Sequence, residues 1–72
     1  MNNGLLEAAR AKYQAEILEC VATLEIYFTN AVAIGEHPDL VAAVDNQIDK
    51  MAHAEDKLEI LKKYYNGYTS TN

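Results

Sequence analysis

Apolar side chains recur along the first half of the chain at alternating steps of four and three: Leu6, Arg10, Tyr13, Ile17, Cys20, Leu24, Tyr27, Ala31 and Ile34, with Arg10 the one charged member. A seam of this period is one face of a long α-helix that packs along another helix. The second half repeats the device. Leu40, Val44, Ile48, Met51, Ala54, Leu58, Leu61 and Tyr65 form a second seam, with one irregularity around Ala54. Between the seams lies Gly35-Glu36-His37-Pro38-Asp39. Glycine suits the left-handed residue after a helix end, and proline suits the first position of the next helix. Asp39 then falls in a positively polarised first turn. So short a connection makes the two helices antiparallel neighbours.

The expected architecture is all-α, an antiparallel two-helix hairpin in a single domain over residues 1–72. The helices are expected at about 4–34 and 38–65, with a turn at 35–37 and a frayed polar tail at 66–72. Asn3 or Gly4 can cap the first helix, and Glu7 sits in its first turn. Asn66-Gly67 reads as a stop, with Lys62 and Lys63 near the negative end of the second helix. Folding one seam on the other sets Leu24 against Met51, Cys20 against Ala54, Ile17 against Leu58 and Tyr13 against Leu61, and brings Arg10 near Tyr65. Two independently read patterns thus agree, which is the strongest statement the sequence makes.

A chain of 72 residues is short for independent stability. Such a chain buries only about 60% of the surface its unfolded form exposes. Cys20 is the sole cysteine, so no disulfide can staple the hairpin, and a lone thiol suits a reducing cytoplasm. Association is the remaining support. Leu18, Val21 and Phe28 flank the first seam, and Val41, Ala52 and Ile60 flank the second. A two-helix contact leaves them partly wet. Burying a Val, Leu, Ile or Phe side chain is worth roughly 1.5–3 kcal/mol, against a typical net stability of about 5–15 kcal/mol. The expectation is a homodimer or higher oligomer, two hairpins forming a four-helix bundle about a twofold axis.

Function classes are mostly excluded rather than indicated. Eleven acidic against six basic residues give a net charge of −5. That balance repels nucleic-acid phosphates and anionic lipid, so direct nucleic-acid binding is not expected. Charged residues interrupt every apolar run, so no membrane span is expected, and Met1-Asn2-Asn3-Gly4 has no secretory character. Phosphate loops, nucleophile elbows and zinc spacings are missing. Glu16-x-x-Glu19 and Asp49-x-x-x-His53 are the nearest approach to a metal site, and both are expected on solvated faces. His37 reads as the N-cap of the second helix or as a turn residue. Cys20 reads as inert packing, since Ala54, Leu24 and Ile17 supply no base. No catalytic residue, cofactor or metal is therefore assigned, and the chain is read as non-enzymatic.

Tyr64, Tyr65 and Tyr68 cluster at the end of the second helix, near Tyr13 of the first. They read either as a binding end for a partner or as a plug that seals the open end of the hairpin. The candidate oligomer or partner interface is accordingly Leu18, Val21, Phe28, Val41, Ile60, Tyr64, Tyr65 and Tyr68. Asp45, Asp49, Glu55, Asp56 and Glu59 form an acidic face that can imitate a phosphate backbone, although Lys50, Lys57, Lys62 and Lys63 interrupt it.

Tyr27-Phe28-Thr29-Asn30 through Ile34-Gly35-Glu36-His37-Pro38, followed by Ala54-Glu55-Asp56-Lys57-Leu58-Glu59, resembles small helical-hairpin proteins encoded by tailed phages of cyanobacteria. The resemblance covers most of the chain. It implies expression in the cytoplasm of a bacterial host and brings no activity with it. The expected function is a small homo-oligomeric interaction protein that binds another protein, a host or virion component being the candidate. The alternative is an acidic inhibitor that occupies a basic site on a nucleic-acid-binding protein.

Overall fold

The computed structural model describes residues 3–30 and 39–69, the side chains of 67–69 excepted. Among them every element is helical: α1 spans Gly4–Thr29 and α2 spans Leu40–Thr69, and the two pack against each other as a hairpin. The expected turn at 35–37 lies outside the described residues, as do Ala31, Ile34 and Pro38.

Asn3 caps α1. Its backbone is extended (φ −118°, ψ 100°), and its side-chain Oδ1 accepts a hydrogen bond from the Leu6 N–H at 3.2 Å. One free donor of the first turn is thereby satisfied. The helix ends sooner than the seam suggested, at Thr29 rather than about residue 34. Asn30 turns out of the helical region (φ −117°, ψ 25°), while its N–H still donates to the Ile26 carbonyl at 2.9 Å. Asparagine competes for backbone partners outside the helix and suits such an end. Thr29 Oγ1 donates back to the Glu25 carbonyl at 2.7 Å, as Thr23 does to Glu19 at 2.9 Å within the helix.

The second helix begins at Leu40, two residues later than expected. Asp39 stands in the capping position, its carbonyl accepting from the Ala43 N–H at 2.9 Å. Near the far end, Tyr65 leaves helical values (φ −128°, ψ 17°), after which a last turn runs to Thr69. The stop expected at Asn66-Gly67 is thus a kink one residue earlier, and Tyr68 and Thr69 continue in helix instead of fraying.

The seam of α1 is as expected over the described residues. Cys20 and Leu24 are buried, and Leu6, Arg10, Tyr13, Ile17 and Tyr27 are half-buried. The seam of α2 differs at two places: Tyr65, at the kink, is 44% exposed, and the register shifts at Ile48. Ile48 is 50% exposed, and Gln47 faces α1 in its stead. The covered residues are Leu40, Val44, Gln47, Met51, Ala54, Leu58 and Leu61, an unbroken alternation of fours and threes. The apparent irregularity near Ala54 came from following the apolar residue instead of the period. A straight helix pair holds its register, and a polar side chain is carried into the seam with it.

The core is thin. Among the described residues Cys20 (3% exposed), Ala54 (1%) and Leu24 (8%) are the buried hydrophobic ones, and none of the larger side chains there is fully enclosed. Cys20 and Ala54, expected to face each other, are the two deepest. Both are small, which lets two backbones approach.

Candidate interaction surfaces

Residues seven apart lie on one line along a helix in a heptad seam. That rule sorts the surface of the hairpin into two sides and an outer face.

The first side is polar. An open groove there is lined by Glu16, Cys20 and Thr23 of α1 and by Gln47, Lys50, His53 and Lys57 of α2. Lys12 Nζ donates to Glu16 Oε2 at 2.8 Å, one turn along α1. That hydrogen bond holds the Glu16 carboxyl below its usual range, with Lys57 and Lys50 of α2 adding their attraction. The same bond raises Lys12 above the ordinary lysine value. Lys57 also lies over the Tyr13 ring, 5.4 Å from its centroid, and Lys12 lies 6.0 Å from it. Tyr13 thus meets ammonium groups from both helices. Charges of opposite sign from both helices close this side.

The second side changes character along its length. Near the open end its groove is lined by Arg10, Gln14 and Ile17 of α1 and by Glu55, Leu58, Glu59 and Lys62 of α2. Seven-residue steps carry the line of Gln14 to Val21 and Phe28, and that of Lys62 and Glu55 to Ile48 and Val41. The half toward the linked end is therefore apolar. Val21 is 38% exposed, Ile48 50%, Phe28 63% and Val41 77%, with Leu18 beside them at 68%.

The outer face of α2 carries a third feature. Ile60 and Tyr64 line a shallow hollow with Asp56, Glu59 and Lys63. Lys63 Nζ stands 5.5 Å from the Tyr64 ring centroid, and the Tyr64 and Tyr65 rings are tilted against each other at 6.4 Å. Both tyrosines are exposed, so in the single chain they do not seal the end of the hairpin.

The candidate interface set therefore divides. Leu18, Val21, Phe28 and Val41 share the second side, whereas Ile60 and Tyr64 belong to the outer face of α2. Tyr65 sits at the kink, and the Tyr68 side chain lies outside the described residues. Ile48 belongs with the first group and was missed. The signal that finds it is strict continuation of the alternation from Val44 to Gln47 to Met51.

Chemistry-bearing groups gather only loosely. Glu16, Glu19 and His53, expected on solvated faces, line one open groove together with Cys20. His53 was not foreseen near that thiol, which lies almost wholly buried. No cluster of three or more His, Cys, Asp or Glu side chains able to hold a metal ion forms among the described residues, and no described helix is long and apolar enough to cross a membrane. No family model, curated protein or solved structure matches the chain.

Proposed function

We propose that the chain is a non-enzymatic helical interaction module, which assembles with copies of itself and presents the outer face of α2 to another protein. The observation that carries this reading is the disproportion between core and surface. Among the described residues three apolar side chains are buried, whereas Leu5, Leu18, Ile26, Phe28, Val41, Ile48 and Ile60 are at least half exposed. The chain exposes 5418 Å², against about 4,500 Å² for a compact monomer of its mass. Its radius of gyration is 16.1 Å, against about 11 Å for a compact domain of this length. Association supplies the burial that the hairpin lacks.

The exposed Ile60–Tyr64–Tyr65 group supports the second half of the proposal. Tyrosine beside aliphatic surface is a common anchor at protein interfaces. The resemblance to phage proteins makes a host or virion component in the bacterial cytoplasm the natural partner. The acidic-inhibitor reading has less support, because Lys50, Lys57, Lys62 and Lys63 are exposed among the acidic residues of α2.

Sedimentation equilibrium tests the assembly. Twice or four times 8.0 kDa at micromolar concentration is expected. A compact 8.0 kDa monomer would overturn the proposal. Immobilised chain and an I60D/Y64A variant, exposed to the same cell extract, test the partner face. A protein retained by the first and lost from the second is expected, and equal retention counts against that face.

A further inference from the structure

We infer that the second side of the hairpin is the seam between two copies, arranged about a twofold axis parallel to the helices, so that both linked ends lie together. This rests on the proposal that the chain self-associates, and it fixes which face does so and in which direction.

Area comes first. The surface carried beyond that of a compact monomer is close to 900 Å², and each partner in a standard interface gives up about 800 Å². One face of the hairpin is enough. The polar side cannot be that face, because Glu16, Lys50 and Lys57 would lose water on association. In the half toward the linked end the second side offers Val21, Phe28, Ile48 and Val41 in succession, and the charges on the same two lines, Glu7, Glu55 and Lys62, all lie in the open half.

Direction follows from the gradient along this side. With linked ends together, α1 of one copy lies along α2 of the other. In the register of the hairpin itself, Phe28 then lies level with Ile48 of the second copy, and Val21 follows two turns further toward the open half, level with Glu55. The open halves, which carry Arg10 and Lys62 as well as Glu55 and Glu59, meet each other with both signs available. Linked ends apart would set α1 on α1 and α2 on α2. That arrangement drives Phe28 toward the Arg10 end, sets Val21 on Gln14, and places Glu55 close to its own copy. Apolar surface would be matched to charge along the whole seam, which costs desolvation without compensating pairs.

Two measurements test this. In sedimentation, Ile48→Glu is expected to raise the dimer dissociation constant at least tenfold, whereas Ile26→Glu, away from this side, leaves it within twofold. Loss of the dimer in both variants alike, or in neither, overturns the choice of face. For direction, single-cysteine chains are mixed in a Cys20→Ala background and oxidised, with circular dichroism confirming helix. The Phe28→Cys chain is expected to cross-link to the Ile48→Cys chain and not to the Glu7→Cys chain. The reverse pattern overturns the direction while leaving self-association intact. A monomeric wild type removes both this inference and the proposal beneath it.

Discussion

Asn3 shows how much of one residue's work is readable in advance. Its amide oxygen holds the Leu6 N–H at the start of α1. Asn3→Ala is expected to cost about 1 kcal/mol, read as a lower midpoint in urea unfolding. Position and residue type announced this cap, because Asn before an apolar run has few other uses. The Glu16 contacts were not legible, since they depend on which lysines of α2 arrive beside it. They have a pH signature. The Glu16 carboxyl is held below its usual range, so its contribution is present above that range and fades as pH falls through the lowered value. Lys12 is raised, so its contribution fades only as pH climbs past the ordinary lysine value. Glu16→Gln is therefore expected to lower the unfolding midpoint slightly at neutral pH and not at all in acid, where wild type and variant should coincide. Both side chains are solvent-exposed, so the effect stays small.

At the scale of the element, Gln47 and Ile48 mark where sequence and structure part. The α1 seam was legible because the described members of its alternation, Arg10 excepted, are apolar or bury like apolar residues. In α2 the alternation and the hydrophobicity disagree at one turn, and the alternation prevails, because one helix cannot change its phase for a single side chain. Gln47→Leu is expected to raise stability by about 1 kcal/mol, visible in thermal unfolding. It is also expected to weaken the register that a polar seam residue helps specify, broadening amide NMR signals around Ala54. The early end of α1 has a comparable origin. A seam counts only spacing, and it is blind to Asn30, whose side chain favours leaving the helix. The sides of the candidate interface were recoverable in principle. The surplus residues were identified, but sorting them by side required the corrected register of α2.

For the whole molecule, stability and assembly are one equilibrium. A species that forms only from the folded state stabilises it by mass action, so the melting temperature is expected to rise steadily with protein concentration. A melting temperature constant over a hundredfold dilution would contradict self-association. Moderate salt is expected to affect this little, because the proposed seam is mainly apolar, whereas an acidic inhibitor would release its basic partner.

The molecule measures 52 × 16 × 14 Å, so across its width no peptide group lies more than about one helix diameter from solvent. An isolated hairpin has nowhere to hide a backbone hydrogen, and in heavy water its amides should all be replaced quickly through small, frequent openings. If instead a block of α1 and α2 around Val21 and Ile48 keeps its protons for hours, and gives them up on dilution, the shelter is the second chain.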